Sequence, residues 1–345
     1  MTVWIKNYNL ILDATKVATI YFLILLGGVI MDTMIAKQQE SLTTRKVRRG
    51  NGLYISASVI AVLLWSTSFV GTKIAYTSFP PLTLGAARFV IAAVILGLIL
   101  LIRKDKTKPS FKDIGLMSIS GVLGTTLYFS LENIGVELTT ASNAAIIVAS
   151  YPAITVLMQF LFFRKKTSWV KAIGIGVAMI GVYQISYSPE TQTDDKQLIG
   201  NIILIAAGFI FALYNFTTRK VVKKYSMITI SFYQTLAGAI TFIPLAFIEK
   251  SSWQTPDIRS FLTLLYLGVF CSVIAFLLYN FGLRKLSSSS AMTLMNLVPI
   301  FGVLFSVLLL NEVVGINQFI GGIIVLLGVV LSMREPSKKH VLENK

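Results

Sequence analysis

The chain has 345 residues, of which 55% are hydrophobic and 13% charged, with a mean hydropathy of +0.75 and a net charge of +16. That balance leaves too little polar surface to coat a water-soluble globule of this size, so a soluble domain is excluded and the bilayer becomes the expected solvent. The single histidine, His340, and the single cysteine, Cys271, exclude a His/Cys metal cluster and an internal disulfide, and no cofactor is expected.

Residues 1–52 read as an N-terminal extension. Its apolar run, 17–31, has 15 residues, short of the roughly 20 that cross a bilayer. A cleaved signal peptide is disfavoured because no small-x-small site follows, and cleavage would leave Lys37, Arg45, Lys46, Arg48 and Arg49 outside. An eleventh helix with an outside N-terminus is compatible with the charges. The reading adopted is translation from Met31 or Met34, leaving a basic cytoplasmic leader. Ten apolar stretches follow, at 53–75, 82–102, 114–131, 141–163, 169–187, 198–216, 226–248, 261–283, 290–311 and 316–333. Every peptide group in hydrocarbon must be satisfied within its own segment, and these runs far exceed a barrel strand, so they are expected to be α-helices. An acidic external loop, 188–197, separates the first five spans (53–187) from the second five (198–333), and 334–345 is a cytoplasmic tail.

The two halves are copies. An offset of 147 residues, without a gap, pairs Phe69 with Phe216, Lys73 with Lys220, Gly135 with Gly282, Ser142 with Ser289, Pro152 with Pro299, Gly174 with Gly321 and Gly181 with Gly328. Five spans per copy is an odd number, so the second copy enters the membrane from the opposite side, and the expected fold is an all-α integral membrane protein of two inverted five-helix repeats. The Lys and Arg residues fall in alternate loops: 24 of the 31 lie on the side of the core termini, whereas the opposite loops carry only Lys196, Lys250 and Arg259. The positive-inside rule makes the rich side cytoplasmic, with both core termini there and the plasma membrane as the expected location. The same distribution accounts for the net charge without a nucleic-acid partner, which would require a basic patch with interleaved aromatics on one surface. Cysteine labelling in a Cys271→Ser background tests this sidedness: positions 190–196 should react from outside, and 105–110 only after permeabilisation. The reverse pattern would invert the topology.

Within the spans only Lys73 and Arg88 carry full charges, and Glu132 stands at their level. Intramembrane ionisable groups are functional candidates by default, although a structural ion pair between Arg88 and Glu132, or a snorkelling Lys73, explains them equally well. Uncharged polar candidates are Trp65, Ser66, Asn133, Asn143, Tyr151, Tyr214, Asn215, Tyr233, Gln234, Tyr279, Asn280 and Asn296. One by one these read as inter-helix hydrogen bonds worth about 1 kcal/mol each. As a group they favour a polar cavity. Pro152 and Pro299, at equivalent depths beside Tyr151 and Asn296, would free backbone carbonyls near it.

Trp65-Ser66-Thr67-Ser68-Phe69, Ala87-Arg88-Phe89, the paired prolines, the Gly174 and Gly321 stretches and Asn311-Glu312 together resemble the EamA branch of the drug/metabolite transporter superfamily. Arg164-Lys165 departs from that pattern in the first half. The resemblance implies a ten-helix carrier of small metabolites with a cavity between inverted repeats. No Walker loop or serine-hydrolase elbow appears, so an ion gradient or passive exchange is the expected drive, with a coupling ion as candidate partner beside the small-molecule substrate and the lipid bilayer. An apolar, aromatic and amide-lined cavity suits an amino acid or similar zwitterion, with efflux the expected direction. The alternatives are a multidrug or quaternary-amine exporter of the same superfamily, an integral-membrane enzyme, and a channel. The enzyme is disfavoured because no His, Cys or paired carboxylates converge.

Overall fold

The computed structural model describes residues 52–103, 108–163, 168–186, 195–222, 224–283 and 294–333. The 17–31 run, the basic leader, most of the expected external loop and the tail lie outside these residues. The described residues form α1 (Gly52–Ala75), α2 (Pro81–Arg103), α5 (Trp169–Ser186), α6 (Asp195–Thr218), α7 (Met227–Ile248), α9 (Leu297–Leu310) and α10 (Ile316–Met333). Three further helices are interrupted. α3 comprises Phe111–Gly121, a π-helical Val122–Leu127 and Tyr128–Leu138; α8 comprises Ile258–Tyr266, a π-helical Leu267–Ile274 and Ala275–Leu283; α4 comprises Ala141–Ala149 and Tyr151–Phe163, broken at Ser150. No strand occurs among the described residues. Among the described residues eight helices are long and apolar enough to cross a membrane. The 14 residues of α9 rise only about 21 Å, short of a hydrocarbon core of about 30 Å, and the residues before 294 that would extend it lie outside the description.

Side chains start the helices where they should. Ser110, Thr140, Ser226 and Asp257 are extended N-caps whose oxygens accept from the amides of Asp113, Asn143, Thr229 and Ser260. Several helix ends differ from the sequence reading by a few residues, and two of them bear on the site. α6 begins at Asp195, inside the expected external loop, and α3 continues to Leu138 rather than stopping near 131. The extension of α3 makes Glu132, Asn133 and Glu137 helical instead of loop residues. It is held by close packing on α6, where a Cβ added to Gly135 would meet the Leu204 side chain at 2.7 Å.

Three of the helix pairs that pack across the two halves are partners under the 147-residue offset: α2 with α7, α4 with α9, α5 with α10. The α5–α10 seam is the tightest. A Cβ built on Gly174 would lie 2.3 Å from the Ser332 amide nitrogen, and on Gly181 2.6 Å from that of Val325. Reciprocally, a Cβ on Gly328 would lie 2.2 Å from the Ala178 nitrogen. Rising numbers on α5 meet falling numbers on α10, so equivalent helices run antiparallel. Gly85 and Gly97 of α2 meet Phe242 and Phe232 of α7 in the same descending order. The duplicated halves are therefore inverted, and glycine is needed at this seam because two backbones, without lipid-driven hydrophobic attraction, gain contact only by approaching closely.

Irregularities are duplicated too. The offset carries the π segment 122–127 onto 269–274, inside the second π segment, and the break at Ser150 lies one residue from the equivalent of the turn at Asn296. Pro152 and Pro299 follow these breaks in the first turn of the resumed helix, where a missing N–H removes least. Two loops dock across the halves at opposite ends: Ser78 donates to Asp257 at 2.6 Å, and Tyr225 donates to Asp113 at 2.7 Å beside Lys224 at 3.0 Å. The offset pairs Ser78 with Tyr225. Hydrogen bonds from Ser78, then from the hydroxyl and amide of Ser260, hold the Asp257 carboxyl well below the usual carboxylate range. A depressed carboxyl contributes above its ordinary range and loses the contribution only as pH falls through the lowered value, so this clamp persists from neutral to mildly acidic pH.

Candidate substrate site

Arg88 lies on α2, seven residues after Pro81, and is 5% exposed. Its Nε donates to the Ser272 hydroxyl at 2.5 Å, and its Cζ stands 5.0 Å from the ring centre of Phe129 and 5.4 Å from that of Phe89. Ser272 belongs to the π segment of α8 and spends its own proton on the Leu267 carbonyl five residues back, at 2.9 Å. The π register thus supplies an acceptor of fixed direction. Among the described residues this is the only hydrogen bond of the guanidinium, which has five N–H donors, so the terminal nitrogens stand unused. A buried cation with spare donors is costly unless something completes it.

Glu132 is the nearby acid. Its Oε1 accepts from the hydroxyl of Tyr128, one helical turn earlier on α3, at 2.8 Å. Arg88 and Glu132 interact electrostatically but form no ion pair, so the stapled pair read as one alternative from the sequence is not what the structure contains. Around Glu132 the Tyr128 ring touches Phe129, Phe211 and Tyr151, with centroids 4.7, 5.4 and 6.1 Å away, and Tyr214 extends the series from Phe211 at 6.0 Å. A second aromatic group joins at α1 and α8. Trp65 packs 5.0 Å from Phe276 and 5.3 Å from Tyr279, and its indole N–H donates to the carbonyl of Cys271, the neighbour of Ser272. The offset pairs Phe129 with Phe276 and Glu132 with Tyr279, so α3 and α8 present corresponding positions with different chemistry.

Most of the remaining polar candidates have their hydrogen bonds used between or within helices. Asn133 donates to the Pro81 carbonyl, Asn143 donates to Thr139 and accepts from Gln318, and the Tyr151 hydroxyl donates to the Leu204 carbonyl. Gln234 joins Ser120 to Thr218, while Ser66 and Asn215 donate to backbone carbonyls one turn back. Asn296 is buried at the turn before α9. Lys73 donates to the Glu137 carbonyl at 3.0 Å, near the end of α1. Pro299 lines a small apolar crevice with Ile146, Val303, Val314 and Gln318, a place Arg88 does not reach. Among the described residues no group of acids, His or Cys could hold a metal ion.

Two contributors were not visible in the sequence, and a third was visible without its use. Ser272 and Phe129 gave no signal beyond being polar or aromatic inside apolar spans. The acidic Glu312 did stand out, but its use did not: its two oxygens accept from the amides of Ala141 and Ser142 and from the Ser142 hydroxyl, capping α4 from the other half. Asn311, at φ 54°, supplies the left-handed turn that brings it there. Glu249 caps α2 in the same manner through the amides of Leu82 and Thr83. The offset places Lys165 and Ile102 opposite these acids, so neither equivalent position carries a carboxylate.

Duplicated, inverted, membrane-capable helices around a buried and incompletely paired charge define a multi-pass membrane transporter. The chain belongs to the EamA-like transporter family, whose model matches residues 52–187 and again 198–334. It is 28% identical to an uncharacterized transporter of Archaeoglobus fulgidus over 81% of this chain and 96% of that one, and 28% identical to the uncharacterized transporter YetK of Bacillus subtilis over 87% and 93%. It is 24% identical, over 81% and 92%, to a protein of Streptantibioticus cattleyicolor named "Probable terminal-alkyne amino-acid exporter". A crystal structure 18% identical in sequence superposes with a TM-score of 0.58, covering 80% of this chain and 98% of that one, and shows the shared fold.

Proposed function

We propose that this protein is a ten-span plasma-membrane carrier that exports amino acids or similar small zwitterions by alternating access of its two halves, with Arg88 binding the substrate carboxylate. The observation that supports it best is the guanidinium itself, buried among spans and anchored through Nε alone. Its two terminal nitrogens form the fork that a carboxylate fits with two parallel hydrogen bonds. Inverted halves provide two related packings of the same helices, the arrangement from which rocking between inward and outward openings follows. Export, rather than import, is favoured by the relative named as an amino-acid exporter. The ring cluster beside Glu132 favours a second reading, export of organic cations, but the unneutralised Arg88 nearby would repel a solute bearing positive charge alone.

Counterflow separates these readings from a channel or an enzyme. Proteoliposomes loaded with unlabelled amino acid should transiently concentrate the labelled form above its external level, because only a carrier exchanges solute against a gradient. Downhill equilibration without overshoot, or no exchange across the twenty common amino acids, would reject the proposal.

A further inference from the structure

The carboxylate site leaves Glu132 without a role, and its surroundings are unlike those of a structural acid. It lies in a membrane-spanning helix, and among the described residues it takes one hydrogen bond, from Tyr128. A carboxylate offers about four lone-pair positions, so most of its capacity is open. Opposite charges close together in a low-dielectric medium should collapse into contact, yet Arg88 and Glu132 are each tethered elsewhere: Arg88 to Ser272 on α8, and Glu132 to Tyr128 on its own helix. Phe129 stands between the two tethers, under the guanidinium on one side and against the Tyr128 ring on the other. Tyr128, Tyr151 and Phe211 add π faces, which attract a cation and reject an anion.

We infer that Glu132, oriented by Tyr128 and bordered by these rings, is the subsite for the substrate's ammonium group. A molecule with carboxylate and ammonium on one carbon completes both tethered charges at once, whereas a simple carboxylate or a simple amine leaves one of them unpaired. This rests on the carboxylate reading of Arg88 and extends it to the other end of the solute. The departure from repeat symmetry agrees: the equivalents of Arg88 and Glu132 are Thr235 and Tyr279, so neither charge is required by the duplicated scaffold. Tyr128 is the positioning residue of this subsite.

The test compares Glu132→Gln with wild type in proteoliposomes, using L-leucine, N-acetyl-L-leucine and L-leucinamide as competitors of labelled leucine counterflow. In wild type, leucine should compete at least tenfold better than either derivative. In Glu132→Gln, competition by leucine should weaken about tenfold or more while that of N-acetyl-leucine is unchanged or improved. Tyr128→Phe, which keeps the ring and removes the donor, should shift the same ratio in the same direction by a few fold, and it serves where Glu132→Gln reaches the membrane poorly. An equal loss for all three competitors, or an unaltered ratio in both variants, would overturn the subsite while leaving the carrier standing. A wild type that does not distinguish leucine from leucinamide would instead overturn the carboxylate reading on which the subsite depends.

Discussion

Arg88→Lys is expected to slow amino-acid counterflow by roughly ten- to a hundredfold, with the protein reaching the membrane at wild-type level. Lysine keeps the charge but removes both the Nε–Ser272 bond and the planar fork, and hydrogen bonds to charged groups contribute about 1.5–3 kcal/mol each. Arg88→Gln should lose more activity still. Its folded stability should hold or rise, since the substitution removes a buried charge that has no counter-ion in contact. These signs separate a recognition role from a structural one: were Arg88 a staple, neutralising it would lower expression and melting temperature together. The reciprocal exchange, Arg88→Glu with Glu132→Arg, sharpens the distinction. Because the two side chains are tethered apart, the double variant should recover neither transport nor stability beyond the sum of the single ones, and recovery would show a direct coupled pair. Normal counterflow in Arg88→Gln at normal expression would remove Arg88 from the mechanism.

The second large effect is expected at the α5–α10 seam. Gly328→Leu should abolish monodisperse, folded protein, measured by size exclusion and by thermal unfolding in detergent, whereas Gly176→Leu should be nearly silent. Both are helical glycines of this helix pair. An added Cβ on Gly328 would sit 2.2 Å from a backbone nitrogen of α5, which cannot rotate aside, while around Gly176 nothing lies within 4 Å. Overpacking in a well-packed core costs about 1–3 kcal/mol and more where backbone must move, and here the whole helix pair would have to separate. Gly181, the offset partner of Gly328, meets Val325 and Gly321 in the same way, so Gly181→Leu should reproduce the loss. Stable, active Gly328→Leu protein would show that the seam is loose, contrary to the packing described.

Legibility in the sequence followed the range of the interaction. The apolar helices and the duplication were readable because hydropathy is a property of consecutive residues and the offset needs no gap. The helix ends were less so. α3 outran its apolar stretch because Glu132 and Asn133 find partners on Tyr128 and Pro81, which a hydropathy window cannot see. The polar candidates were recognised as a set but not sorted. Asn143 and Gln234 belong to cross-helix networks, and Trp65 is tied beside the Arg88 anchor, distinctions made by neighbours more than a hundred residues away. Glu312 was noticed as an acid before the last span, yet its service to the amides of α4 depends on the left-handed turn at Asn311 and on the way α9 lies along α4.

The amino-acid sequence by itself determined that the chain is an all-helical membrane protein built from two copies, since apolar runs this long satisfy their backbone in a bilayer only as helices and a set of matched residues recurring at one gapless offset has no simpler cause. Tertiary structure alone decided how Arg88 and Glu132 are held. Arg88 and Glu132 differ by 44 positions in the chain, and nothing local said whether they would pair. The packing of α2 on the π segment of α8 placed the Ser272 hydroxyl, 184 residues from Arg88, within reach of its Nε, and a helical turn placed Tyr128 over Glu132. Each charge was thereby held short of the other, because a hydrogen bond fixed by a rigid helix constrains direction as well as distance.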